Sequence, residues 1–159
     1  MNTNTNYMDD HNLFMGLALE LAITAFENNE VPVGAIIVER QSSKVLAAYG
    51  NQMRQNHSSL AHAEMLALQK AMAIIKNERL TGCDMYVSLE PCPMCAQAIS
   101  FARIERLYFA AEDKKSGGVI NGPKIFESSS CHHQPNINQG LMENESSKLL
   151  KDFFKSKRK

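Results

Sequence analysis

Met85-Tyr86-Val87-Ser88-Leu89-Glu90-Pro91-Cys92-Pro93-Met94-Cys95-Ala96-Gln97-Ala98-Ile99-Ser100-Phe101-Ala102 is the stretch on which the reading of this chain turns. Met85 to Leu89 reads as a short strand that stops at Glu90-Pro91, because proline cannot donate to a strand ladder. From Cys92 to Ala102 nearly every residue is small or apolar, which predicts a buried helix. A strand passing straight into a buried helix is half of an α/β unit. The junction itself carries Cys92 and Cys95. Three apart on the first turn of a helix, their sulfurs lie on one side. Two thiolates suit a soft, tetrahedral cation such as Zn²⁺ and neutralise its double charge. A helix start favours the thiolate form.

Working back along the chain, His62-Ala63-Glu64 stands directly before another apolar, helix-like run over roughly 62–77. His62 supplies an imidazole nitrogen as third ligand. Three protein ligands leave the fourth position of zinc to water, the pattern of a catalytic rather than a closed structural site. In mid-helix the spacing of His62 and Glu64 would send their side chains to nearly opposite faces. At a helix start both can reach one site. Glu64 is then better placed as a general acid/base than as a fourth ligand. The metal would lower the pKa of its bound water toward neutrality.

Plainer readings compete with this one. A C-x-x-C pair can be a structural zinc knuckle or a redox pair, and H-x-E alone carries little information. A structural site needs a fourth protein ligand, for which Cys83, His57 and the run Cys131-His132-His133 are candidates. The run could form a second metal site or serve as packing and hydrogen-bonding groups. Cys83 is read as a small buried residue beside a strand.

The chain has 159 residues, enough for one domain with a substantial core. With 44% hydrophobic residues and 17 charges of each sign, it is neither a disordered nor a fibrous sequence. Residues 1–9 are read as a disordered tail and 10–159 as a single domain. No signal-peptide pattern is found at the polar amino terminus. Leu13 to Phe26 is too short to span a bilayer and contains Glu20, so no membrane role is expected. Four cysteines, two assigned to metal, suggest a reducing compartment, the cytoplasm by default.

Outward from the cysteine junction, residues 10–27 read as an amphipathic helix. Leu13, Leu17 and Leu21 form one stripe, Glu20, Thr24 and Glu27 the exposed one. Val33 to Val38 and Val45 to Tyr49 read as a strand pair joined around Arg40-Gln41-Ser42-Ser43. Leu107 to Ala111 is another strand, 112–136 the least regular stretch, and Leu141 to Lys157 a closing helix. Strands alternating with helices give the α/β class.

Neutral overall charge hides an asymmetry. From Lys148 to Lys159 there are six basic residues, Lys148, Lys151, Lys155, Lys157, Arg158 and Lys159, and one acid, Asp152. Such a run is commonly just a solvated helix end. Interleaved with Phe153 and Phe154, it also suits single-stranded nucleic acid, with cations for phosphates and rings for bases.

His62-Ala63-Glu64 and Pro91-Cys92-Pro93-Met94-Cys95 together match the H-x-E and P-C-x-x-C signature of zinc nucleobase deaminases. From about residue 10 to the end the chain resembles the bacterial tRNA-specific adenosine deaminases of the cytidine deaminase superfamily. The resemblance includes Glu30-Val31-Pro32-Val33-Gly34-Ala35, Gly50-Asn51 and Ala111-Glu112-Asp113-Lys114-Lys115-Ser116-Gly117. It also includes Leu149-Leu150-Lys151-Asp152-Phe153-Phe154 with its basic tail. Three departures stand out: Ser58-Ser59-Leu60 where Asp-Pro-Thr is common, Pro93, which also occurs in guanine and cytosine deaminases, and the stretch Gly118 to Ser130, longer than in some members.

The resemblance implies a three-layer α/β sandwich, a five-stranded mixed sheet flanked by helices, in a homodimer with active sites near the interface. It implies one Zn²⁺ per chain on His62, Cys92 and Cys95, with Glu64 as the proton carrier. Asn51 and Val31, and the backbone around Ala63 and Pro91, would meet the substrate nucleoside. Asp113, Lys115, Phe154, Lys155 and Arg158 would meet a tRNA anticodon stem-loop. The implied reaction is hydrolytic deamination of the wobble adenosine to inosine. Two alternatives remain: a deaminase of guanine or cytosine as free base or nucleoside, and a non-catalytic zinc subunit that only binds RNA.

Overall fold

The computed structural model describes residues 4–158. Its elements are helix α1 (Asn4–Glu27), strands β1 (Gly34–Glu39) and β2 (Lys44–Gly50), helix α2 (Ala63–Ile75), strand β3 (Cys83–Leu89) and helix α3 (Pro93–Phe101). Strand β4 (Arg106–Ala111), strand β5 (Asn136–Gln139) and helix α4 (Glu143–Lys157) follow. The sheet order is β2-β1-β3-β4-β5. β1 pairs antiparallel with β2 and β3, whereas β3, β4 and β5 run parallel.

Alternation along the central strands divides the core in two. Ala35, Ile37, Met85, Val87, Leu107 and Phe109 face α2 and α3. Ile36, Val38, Tyr86, Tyr108 and Ala110 face α1. With α4 packed on the same side as α1, through Phe153 against Phe26, this is the three-layer sandwich. The buried central strands therefore read as continuous apolar runs. At Gly34 a Cβ would stand 2.0 Å from the Ala18 carbonyl oxygen, so only glycine lets α1 lie this close to β1.

Three expectations are corrected. Residues 1–3 of the expected disordered tail lie outside the described residues, but α1 begins at Asn4 and takes in the rest of that segment. Nothing between Asn4 and Asp10 is a glycine or proline that would end a helix. The core face of α1 is Phe14, Met15, Ala18, Ala22 and Ala25, not the leucine stripe: Leu13 is 59% exposed, and Leu17 and Leu21 are half-buried at the margin. Small residues win the contact face because the helix backbone approaches the sheet so closely. Third, Asn136–Gln139, at the end of the irregular stretch and before the closing helix, is an edge strand. Its side chains are polar apart from Ile137, and backbone pairing to β4 holds it. A polar edge strand carries no alternation to read, and its polarity discourages further pairing.

Candidate active site

In the parallel unit β3-α3-β4 the chain turns from strand to helix at the carboxyl end of β3, the usual place for a site in an open α/β sheet. Cys92 is the N-cap of α3, with φ −69° and ψ 170°, and Pro93 takes the first helical position, where its missing N–H costs nothing. His62 is the N-cap of α2, with φ −70° and ψ 148°. Neither residue caps its helix with its own side chain. Imidazole and thiol are thus free to point at each other, and both helix starts present their positive ends to the same point.

His62 Nδ1 lies 3.7 Å from Cys92 Sγ and 3.5 Å from Cys95 Sγ. Zn–N and Zn–S bonds of ordinary length, meeting at the tetrahedral angle, require an N···S edge of about 3.6 Å. The donor set and its spacing therefore fit zinc. Among the described residues no fourth His, Cys, Asp or Glu joins this cluster. That geometry is one of an open coordination position rather than a closed structural site.

The electrostatics agree with a thiolate-bearing site. The hydrogen bond with Cys95 holds the Cys92 thiol down at about 4, and the same bond with burial pushes Cys95 up. The hydrogen bond with Cys92 raises the His62 imidazole. Glu64, in the first turn of α2, is 4% exposed, and burial pushes its carboxyl up to about 7. A carboxyl in so dry a place takes up and gives up a proton readily near neutral pH.

Asn51 is buried, and its Oδ1 accepts the Ala63 N–H at 2.8 Å. That N–H is one of the donors a helix start leaves without an intrahelical partner. Gln52 N–H donates to the Ala61 carbonyl at 3.0 Å, closing the 52–61 loop so that Asn51 and His62 stand side by side. Pro91 is buried, and its carbonyl accepts the Gly118 N–H at 2.8 Å. Val31 is half-buried and lines a groove of about 340 Å³ with Glu30, Met53, Arg54, Phe153 and Lys157.

The remaining sequence candidates are spread more widely. Asp113 is half-buried and accepts the Ser116 N–H at 2.9 Å, and Lys115 is exposed on the same loop. Phe153 is buried against Phe26, with Lys157 Nζ 5.3 Å above its ring, whereas Phe154 is 46% exposed. Phe154, Lys155 and Arg158 stand outside the groove, whose α4 wall is Phe153 and Lys157. Cys83 is buried at the start of β3, and burial pushes its thiol up to about 11. His57 is exposed in a turn at φ 48°. The Cys131-His132-His133 run forms hydrogen bonds, not a metal cluster. Ser100 Oγ donates to the His133 carbonyl at 2.6 Å, and His133 Nε2 donates to the Ile104 carbonyl at 2.7 Å.

Two buried carboxylates have roles that the sequence reading missed. Glu30 accepts the backbone N–H groups of Arg54 and Gln55 at 3.0–3.1 Å, holding the loop before His62. Glu90 does the same, with more donors, for the loop after β4. No signal in the sequence marks either role: Glu30 follows the polar Glu27-Asn28-Asn29, and the partners of both carboxylates are chiefly main-chain N–H groups.

The zinc-binding region of cytidine and deoxycytidylate deaminases matches residues 8–111. The tRNA-specific adenosine deaminase of Agrobacterium fabrum is 46% identical over 151 residues, 95% of this chain and 98% of its own. A solved structure of a tRNA:A34 deaminase superposes with a TM-score of 0.83 at 47% identity, over 86% of this chain and 98% of that one. A guanine deaminase from Nitrosomonas europaea matches with a TM-score of 0.73 at 25% identity, over 89% of this chain and 83% of that one. No described helix is long and apolar enough to cross a membrane. With similarity this high along nearly its whole length, and a His-Cys-Cys cluster of zinc geometry where the motifs place it, the chain belongs to the family of tRNA-specific adenosine deaminases.

Proposed function

We propose that this chain deaminates adenosine to inosine at the wobble position of a tRNA anticodon, using one zinc ion per chain held by His62, Cys92 and Cys95. The observation that carries the reading is the three-ligand cluster, without a fourth protein ligand among the described residues, next to the buried carboxyl of Glu64. Bound there, zinc supplies the Lewis acidity that makes a water nucleophilic near neutral pH. Glu64 takes the proton of the water that adds to C6 of a flipped-out adenine and returns it to N1. It then takes the proton of the new C6 hydroxyl and passes it to the C6 amino group, which leaves as ammonia while the C6 carbonyl of inosine forms. The net change is adenosine plus water to inosine plus ammonia.

Asn51 spends its carbonyl oxygen on Ala63, which leaves its amide N–H groups to donate to the nucleoside. The backbone at Ala63 and Pro91 frames the base, and Val31 supplies an apolar wall. An anticodon loop offers bases that are already partly unstacked, which lowers the cost of extrusion. Asp113 and Lys115 on one side, and Phe154, Lys155 and Arg158 on the other, are assigned to the stem-loop. The exposed Phe154 ring amid cations is suited to stacking on a base. The working unit is taken as a cytoplasmic homodimer. Leu60 and Phe101, 60% and 69% exposed, are the apolar surface such a pairing would cover.

The test is direct. Zinc-loaded protein is incubated with an anticodon stem-loop bearing a wobble adenosine and, separately, with guanine, cytosine and cytidine. Inosine in the stem-loop alone is the expected product. Turnover of a free base or nucleoside with an unchanged stem-loop would replace this reading with that of a small-molecule deaminase. Stem-loop binding without any product would point to a non-catalytic RNA-binding subunit.

A further inference from the structure

Glu90 follows β3 and immediately precedes Pro91-Cys92, yet among the described residues it belongs to no ion pair and not to the His62-Cys92-Cys95 cluster. It is 2% exposed. Its Oε1 accepts the Asp113 N–H at 3.0 Å and the Asn121 side-chain amide at 2.7 Å. Its Oε2 accepts three successive backbone N–H groups, Val119 and Ile120 at 3.0 Å and Asn121 at 3.2 Å. Successive N–H groups converging on one point make an anion-binding concavity. Here the protein's own carboxylate fills it. Five donors on one carboxylate satisfy a buried charge without an ion pair, which a neutral amide could not do.

The loop so held lies directly on the zinc-ligand turn. Gly118 N–H donates to the Pro91 carbonyl at 2.8 Å, and a Cβ on Gly118 would stand 2.5 Å from Pro93 N. A Cβ on Gly117 would stand 2.3 Å from Glu90 Oε2. Any side chain at either position would lift the loop. The backbone N–H of Glu90 also pairs with the Ala111 carbonyl at 2.8 Å, so one residue joins the ligand turn to both ends of the loop.

We infer that Glu90 is a positioning residue: it locks the 112–121 loop, with Asp113 and Lys115, at a fixed height over the Cys92 turn, and so sets where the RNA strand lies relative to the metal. The part of this inference that concerns RNA rests on the proposed function; the locking of the loop does not.

Hydrogen exchange and kinetics on the zinc-loaded, full-length protein separate the two. In Glu90→Gln the amides of Asp113, Val119, Ile120 and Asn121 should exchange at least about tenfold faster, the weight of one charge-assisted bond. Zinc content should be unchanged. With an anticodon stem-loop, KM should rise about tenfold while kcat stays within about threefold, the signature of lost positioning rather than lost chemistry. Glu90→Asp, which keeps the charge, should recover part of both effects. Asn121→Ala removes one of the five donors, the side-chain amide, without burying an unpaired charge, and carries the test should Glu90→Gln fail to fold. It should show the same pattern at smaller size.

Wild-type exchange at these amides in the folded variants would overturn the locking role. Faster exchange with an unchanged KM would overturn the RNA-positioning role. Leu46→Ala, in the core on β2, serves as the control matched for loss of Tm. An equal rise of KM in that variant would also overturn positioning. A wild-type protein that leaves the stem-loop untouched would defeat the proposed function, while the exchange data would still decide the lock.

Discussion

Asn51→Ala tests how one side chain couples the fold to the site. Asn51 Oδ1 is the acceptor for the Ala63 N–H, and Ala63 is fully buried at the first position of α2. Removing the acceptor leaves a buried donor unsatisfied at a helix start, a cost of about 1–3 kcal/mol. Losing an N-terminal cap elsewhere costs a similar amount, about 0.5–2 kcal/mol. For a domain of this length each kcal/mol corresponds to roughly 2–4 °C of melting temperature. Asn51→Ala should therefore melt several degrees below wild type, measured by calorimetry on samples of equal zinc content. Asn51→Asp is the diagnostic partner. Its carboxylate still accepts from Ala63 N–H, and a negative charge at a helix N-terminus is favourable by about 0.3–1 kcal/mol. It offers no amide donor to a nucleoside. The expected result is a melting temperature near wild type with deamination lost. A carboxylate variant that melts as low as Asn51→Ala would refute the assignment of stability to this acceptor. One that deaminates at the wild-type rate would refute the amide's role in binding.

Glu64→Gln should keep its zinc and lose on the order of 10²–10⁴-fold in kcat, since the amide cannot accept the water's proton; loss of zinc instead would make Glu64 a ligand. Replacing Cys92 and Cys95 with alanine together should empty the metal site and destabilise the fold, read by metal analysis and melting. A truncation that keeps the buried Phe153 and removes Phe154 onward takes away Lys155, Lys157, Arg158 and Lys159. On single strands it should flatten the log–log salt dependence of RNA binding by at most about 3, with zinc and melting temperature retained. His11 is held below its ordinary pKa by burial, beside Tyr86 OH at 2.5 Å. The unfolded chain thus binds that proton more readily. The stability His11 contributes is complete above its unfolded value of about 6.5 and is lost as pH falls below it. His11→Phe should flatten the slope of melting temperature against pH between roughly 7 and 5.

What the sequence alone determined was local. Cys92 and Cys95 share one helical turn, and His62 and Glu64 straddle one helix start, so spacing by itself carried the donor set and put beside it the carboxyl proposed as proton carrier. The Met85–Ala102 segment told of a strand running into a buried helix because proline and the run of small residues act on their immediate neighbours. Charge asymmetry at the end of the chain was equally visible, but which phenylalanine is spent on the core was not. Only packing against Phe26 distinguishes Phe153 from Phe154. The face of α1 was misread for a related reason. A helix apolar over most of its circumference is oriented by what it meets, and the bare backbone at Gly34 lets the helix backbone at Ala18 and Ala22 come close, which leaves Leu17 and Leu21 at the margin. Strand β5 owes its existence to the free edge of β4, not to its own residues. Asn51 with Ala63, Glu30 with the 54–55 backbone and Glu90 with 113–121 were beyond sequence reasoning altogether. Their partners are main-chain N–H groups, which every residue carries and no residue type announces. Only the folded chain brings such donors around a buried oxygen, where the cost of leaving either side unpaired holds the loops in place.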